Sequence, residues 1–351
     1  MTENYWSRSD FPREPGVLGK PLVDPANWYP DEILSNRKWI YRLSQTEISE
    51  VEKAVRHIEA RGLEIKNITS KDFLLPTLSA GLQEVQDELM EGRGLVLIQG
   101  LPVDQMNRWQ VATAFWGISS YIGKALSQNH QGHVLGHVKD IGENYGKVRG
   151  YMTRARMAFH CDQCDILGLA CLNTAKEGGE HLVCSSVALY NEMLKRRPDL
   201  VKELAWHFYR QLSTETHPGQ KDPWIRQATF NFHKGYFACR SVSAALEKAQ
   251  ALPGVPQFTK IQKEAFRLYH ELANELAIEV PMERGDVSYV MNHVTLHSRT
   301  KFEDWPENDR KRHLLRIWLN TGDRRPLPPE IHMFSQGIFD ETTTVSVPLD
   351  V

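Results

Sequence analysis

The sequence predicts a mainly β, α+β fold: a β-barrel or double-sheet jelly roll with helices packed against it. Three observations predict it. Short β-type runs separated by glycine or polar breaks fill two blocks, 132–172 and 286–319. Helical patterns precede the first block and fill the interval between the two. The residues best suited to metal chemistry fall in both β-rich blocks, and a closed or double-sheet fold would bring those early and late strands together.

Taken in order, residues 1–38 are rich in Pro, Asp and Trp without a clear period, and read as an irregular arm laid over the domain. Residues 39–351 read as one domain, with a helical insert around 186–280. Ile48, Val51, Val55 and Ile58 recur at three- and four-residue steps, which predicts an amphipathic helix over 46–60. A second helix is expected over 79–91, ending near Gly92. The glycine-bounded run GLVLIQG, 94–100, reads as a buried strand, and 107–121 as a helix.

HVLGHV, RMAFH and DILGLACL then read as strands, and the KEGG sequence at 176–179 as a turn. Helices are expected over 186–195, 199–209 and 260–276, with Pro198 near a first turn, where proline is tolerated. VSYVM and HLLRIWL return the chain to strands, and the tail after Arg325 is proline-rich with little period.

The chain has 351 residues, 25% charged and 41% hydrophobic, with a formal net charge of -2. That balance offers no basic surplus for a nucleic-acid backbone. No apolar run approaches the roughly 18 residues of a membrane span, and MTENYWSRSDFPREPG lacks an apolar signal core. Five cysteines are few for the length and cannot all pair. Free thiols in a reducing cytoplasm are the expectation.

His160 and Asp162 stand at i and i+2, so on an extended chain both point to one side. With a histidine far downstream, His297, they make two imidazoles and one carboxylate. That set caps one face of an octahedral ion and leaves three positions open, the facial triad of non-haem Fe(II) oxygenases. His293 and His313 are rivals of His297. In KRHLLRIWL the same alternation puts Arg312, Leu314 and Arg316 on one face, with His313 turned away. Two arginines facing an apolar interior are costly without an anion, and a guanidinium fork suits a carboxylate.

The segments AFHCDQCDILGLACL, AKEGGEHLVCSS, RGDVSYVMNHVTLHSRTKFED and RHLLRIWL resemble, in order and spacing, the taurine dioxygenase-like (TauD/TfdA) family of Fe(II)/2-oxoglutarate oxygenases. GRGLVLIQGLP resembles that family's first core strand. The resemblance implies a double-stranded β-helix (jelly-roll) core with flanking helices, and residues 39–351 as one catalytic domain. It implies His160, Asp162 and His297 as iron ligands and Arg312 as the anchor of the distal carboxylate of 2-oxoglutarate. Arg316 would lie near co-substrate or substrate, and Arg310 is the fallback for Arg312. His181 stands where family members often have Thr or Ser contacting 2-oxoglutarate, and Ser185 is the nearest replacement, with Ser186 beside it. Gln128, Asn129, His130 and Arg156 are candidate substrate contacts.

The implied reaction consumes Fe(II)-bound 2-oxoglutarate and O2, releases succinate and CO2, and hydroxylates a small molecule, with desaturation or cyclisation as variants. An acidic compound or a natural-product intermediate would suit as substrate. A homo-oligomer is compatible with the sequence; nucleic-acid or membrane partners are not expected. Asp162 argues against a halogenase, whose relatives leave that position empty for chloride.

Two other readings stand beside this one. A metallohydrolase could use the same ligands to activate water, and a jelly-roll binding protein could have kept the fold alone. The first gives no reason for two inward arginines, and the second does not need all three ligands. The C-x-x-C pair Cys161 and Cys164 has no second pair and reads as structural, and Asp165 reads as a turn cap.

Overall fold

The computed structural model describes residues 6–144, 147–212, 222–338 and 344–349. In chain order the strands of its two main sheets are β1 (Ile40–Arg42), β2 (Leu95–Gln99), β3 (Lys124–Ala125), β4 (Leu135–Val138), β5 (Met157–His160), β6 (Ile166–Asn173), β7 (His181–Ser185), β8 (Ala277–Val280), β9 (Val287–Met291), β10 (Thr295–Arg299) and β11 (His313–Asn320). The larger sheet runs β1-β2-β9-β6-β11-β3, with β4 also beside β11; the smaller runs β8-β7-β10-β5. Pairing is antiparallel except between β1 and β2. This is the jelly roll, and the first and last β-rich blocks do meet in it.

Alternation along the long strands decides what each face does. On β11, Leu314, Arg316 and Trp318 face the space between the sheets, while Leu315, Ile317 and Leu319 face outward into the main core. On β6, Leu167 and Leu169 point inward; Ile166 and Ala170 point outward. Gly168 sits where strands crowd: a Cβ there would lie 2.7 Å from the Ile317 side chain and 2.8 Å from the Tyr289 ring.

The helices are α1 (Pro30–Asn36), α2 (Gln45–Arg61), α3 (Leu78–Glu91), α4 (Arg108–Ser119), α5 (Ser186–Arg196), α6 (Pro198–Leu204), α7 (Ala244–Ala249), α8 (Lys260–Glu275) and α9 (Pro329–Phe334). The apolar stripe read in 46–60 buries Val51, Val55 and Ile58 of α2. A capping box of Ser44 and Glu47 starts that helix, and Gly62 at φ +62° ends it. Helices α3 and α4 cover the outer face of the larger sheet.

Three expectations need correcting. The arm is not wholly irregular, because Pro30 at the start of a turn bearing Asp31 and Glu32 nucleates α1. The helix expected over 199–209 stops at Leu204, since Phe208–Gln211 pairs with Trp224–Gln227. The insert around 186–280 is therefore mixed: among the described residues it holds four helices, that strand pair, the hairpin of Phe230–His233 with Tyr236–Cys239, and β8.

Candidate active site

Strand β5 ends at His160, and β10 pairs with it so that His297 lies directly opposite. His297 is thus on a strand of its own, Thr295–Arg299, a few residues past VSYVM. Asp162 follows two residues after His160, its backbone N–H donating to Asn292 Oδ1 at 2.9 Å. The Nε2 atoms of His160 and His297 stand 4.0 and 3.9 Å from the two Asp162 oxygens. All three ligand atoms lie within 4.8 Å of one another, the only such His/Cys/Asp/Glu group among the described residues.

The donor set fits a divalent ion that prefers mixed nitrogen and oxygen ligands. His160 donates Nδ1–H to the Ala158 carbonyl at 2.8 Å, which leaves Nε2 as the lone pair facing Asp162. Trp318 donates Nε1–H to Asp162 Oδ2 at 2.8 Å. Burial alone would push the Asp162 carboxyl up; Arg316, His297, His160 and the Trp318 hydrogen bond outweigh it and hold it at about 2. Burial, with His160 next to it, pushes the His297 imidazole well below its ordinary value. The triad is therefore poised in the form that binds metal: anionic carboxylate, neutral imidazole.

A pocket opens over these three side chains. Arg312, Arg316 and Arg299 line it, with His181 and Tyr151. Arg316 donates Nε–H to Gln128 Oε1 at 2.7 Å, lies 3.9 Å from Asp162 Oδ2, and stacks 4.2 Å from the Tyr151 ring centre. Arg312 gives one nitrogen to the Gly179 carbonyl at 3.0 Å; among the described residues its Nη1 has no partner. Gly179, at φ +80°, is needed there, because a Cβ would lie 2.8 Å from Arg312 Nε. Burial lowers both Arg299 and Arg312 to about 10, and both stay protonated at neutral pH. An orphaned buried guanidinium nitrogen fits a carboxylate-bearing co-substrate.

Not every sequence-derived candidate reaches this cavity. Ser185 is fully buried as the cap of α5, accepting from the Ala188 N–H and donating to the Ala26 carbonyl, so it is unavailable to 2-oxoglutarate. Ser186 lies in the same helix start, away from the cavity lining. Gln128 is buried behind Arg316 and positions it. Asn129 closes a turn onto the Gln131 and His133 N–H groups, and neither it nor His130 lines the cavity. Arg156 reaches Asn274 on the surface. Arg310 lies on the Trp305 ring beside Glu307, outside the site, which leaves Arg312 as the inward arginine.

His313 turns to the opposite side of β11 and meets His137 at 2.8 Å, and His293 pairs with Asp165 at 2.9 Å. The rivals of His297 are thereby accounted for. His181 does line the cavity, 6.3 Å from the His297 ring, with an unpartnered Nε2 among the described residues.

Sequence reasoning missed Trp318, Arg299 and Tyr151. The first two were open to the alternation already used, two residues beyond Arg316 and His297. Tyr151 sits in a short helical turn, Gly150–Met152, with no such pattern.

These buried histidines set an acid limit on stability. Burial first, then Arg312, lowers His181 to about 4; burial first, then His137, lowers His313 to about 3. Folded, both stay neutral where the unfolded chain, near 6.5, takes up protons. The unfolded state then binds more protons, so stability falls as pH drops below about 6.5. His181 alone costs on the order of 2 kcal/mol by pH 5. Asp162 adds stability that is present above its unfolded value and is lost as pH falls toward about 2. Thermal melts of the metal-free protein should hold level above pH 7 and decline from 6.5 to 4; a midpoint unchanged down to pH 5 would contradict this.

Two imidazoles and a carboxylate at the mouth of a jelly roll, under inward arginines, define a non-haem iron oxygenase of the 2-oxo-acid-dependent class. The chain matches the profile of the taurine catabolism dioxygenase TauD, TfdA family over residues 57–318, and it belongs to that family. It is 27% identical over 330 residues to FR-33289 synthase of Streptomyces rubellomurinus (strain ATCC 31215), covering 92% of this chain and 97% of that one. It is 27% identical over 315 residues to the taurine hydroxylase-like protein SAT17 of Stachybotrys chartarum (strain CBS 109288 / IBT 7711), covering 86% and 80%.

Among solved structures, asparagine oxygenase in complex with Fe(II), 2S,3S-3-hydroxyasparagine and succinate shares the fold at a TM-score of 0.64 and 17% identity, covering 81% of this chain and 94% of that one. The non-heme iron oxygenase OrfP in complex with Fe and alpha-ketoglutaric acid does so at 0.62 and 16%, covering 82% and 95%. Among the described residues no helix is long and apolar enough to cross a membrane.

Proposed function

We propose that the protein is an Fe(II)- and 2-oxoglutarate-dependent dioxygenase that hydroxylates a small molecule carrying an acidic group. One observation carries the reading: among the described residues, the cavity that holds the complete triad is lined by three buried arginines and one carboxylate, Asp162. A bound divalent ion adds further positive charge. A dianionic co-substrate offsets only part of that excess, so an anionic substrate is favoured over a neutral or cationic one. A hydrolase would have no use for these arginines, and a binding protein no need of the complete triad.

His160, Asp162 and His297 would hold the iron. When bound, iron and 2-oxoglutarate supply the oxidation: the co-substrate is decarboxylated to succinate and CO2 while one atom of O2 goes to the substrate. The chain's own part is placement. Trp318 fixes the Asp162 carboxylate, Gln128 fixes Arg316, and Arg312 would hold the distal carboxylate of 2-oxoglutarate. Leu167, Leu169 and Leu314 line the apolar stretch between and keep water out. The five buried free thiols suit a reducing, cytoplasmic setting.

Anaerobic addition of Fe(II) and 2-oxoglutarate should give a weak visible charge-transfer band. Admitting O2 with a panel of small carboxylates, phosphonates and sulfonates should raise succinate release for the true substrate. A protein with no band and no succinate from any compound is not this enzyme. Stimulation by cationic compounds alone would refute the acidic-substrate reading while sparing the oxygenase.

A further inference from the structure

Arg299 lies two residues beyond His297 on β10, so alternation turns both side chains to the same interior. It is 4% exposed. Its Nη2 donates to the carbonyls of Gly150, Thr153 and Ala155, the second at 2.7 Å. Among the described residues its Nε and Nη1 have no hydrogen-bond partner. Arg312 has the same half-satisfied form, with Nη2 on Gly179 and Nη1 unpartnered. The two guanidinium carbons stand 4.9 and 5.2 Å from the centre of one ring, Phe302, which places both at the same end of the cavity. Arg316 is elsewhere, spent on Gln128 and Asp162.

Neighbouring buried cations repel, and each orphaned N–H carries its desolvation cost. What relieves both is an anion with several acceptor sites. A carboxylate has two oxygens and about four lone-pair sites, enough for the three free nitrogens.

We propose that Arg299 and Arg312 together clasp the distal carboxylate of the 2-oxo-acid co-substrate, which makes Arg299 a co-substrate-binding residue. This rests on the function proposed above. The competing role for Arg299 is purely architectural: its Nη2 pins the 150–155 loop, which carries Tyr151, to β10.

The test compares two ligands on Ni(II)-loaded protein, which binds without turnover. 2-Oxoglutarate carries the distal carboxylate; 2-oxovalerate has the same carbon chain without it. By calorimetry the native chain should prefer 2-oxoglutarate. Arg299→Gln should weaken 2-oxoglutarate about ten- to a hundredfold, the usual cost of a charge-assisted hydrogen bond, and leave 2-oxovalerate unchanged. Arg299→Lys, which keeps the charge but not the fork, should fall between, and it serves if the glutamine variant does not fold. Equal weakening of both ligands would assign Arg299 to loop anchoring and overturn the proposal. So would unchanged 2-oxoglutarate affinity. A native protein that binds Ni(II) but neither ligand would instead bring down the co-substrate reading itself.

Discussion

Asp162→Ala is expected to abolish metal binding and turnover together. Asp162 is the only carboxylate in the triad, and its two oxygens face both imidazoles, at 4.0 and 3.9 Å. Loss of a mere supporting group around a metal site costs about 10- to 100-fold, so loss of this ligand should exceed about 100-fold in metal affinity. The same change strips the acceptor from Trp318 Nε1–H, leaving that donor unpaired in the cavity wall, and removes the counter-charge from Arg316, which keeps its hydrogen bond to Gln128. Asp162→Asn separates the effects: its amide oxygen can still accept from Trp318 while the negative charge is gone. Titration with Mn(II), followed by electron paramagnetic resonance, should show loss of tight binding in both variants, with the asparagine form melting closer to the native protein. Native-like affinity in either variant would overturn the ligand assignment.

Arg312→Leu should have the second-largest effect, with opposite signs for function and stability. Removing one partner of a buried charge pair costs about 2–5 kcal/mol, or roughly 30- to several-thousand-fold in 2-oxoglutarate affinity. Without co-substrate, however, Arg312 is a buried cation whose protonated form burial disfavours. Its leucine replacement removes that cost, so the unliganded variant should melt no lower than the native protein. Calorimetric titration with 2-oxoglutarate, paired with melts run without ligand, checks both halves. A variant that loses stability and keeps its affinity would show Arg312 to be structural.

The triad and the inward arginines were legible because a strand's alternation is a local rule, and these residue types have few uses on an apolar face. The surrounding contacts were not legible, because they depend on which distant group arrives. Ser185 looked available until α5 began at it and claimed its hydroxyl. Gln128 looked like a substrate contact until β11 brought Arg316 against it. Arg156 was taken up by Asn274, over a hundred residues away in sequence. The hairpin inside the insert had a readable signal: Lys234 and Gly235, both at positive φ, join two aromatic-rich runs in the manner of a two-residue turn.

Strand β11 divides its labour by parity. Leu315, Ile317 and Leu319 hold the helical layer, and Leu314, Arg316 and Trp318 furnish the reaction chamber. The two sets share a backbone but touch different neighbourhoods. Inner positions of this strand can therefore be exchanged to retune what the chamber accepts while the scaffold keeps its grip on the outer side. A designer seeking a new specificity would vary 314 and leave 315 and 317 alone.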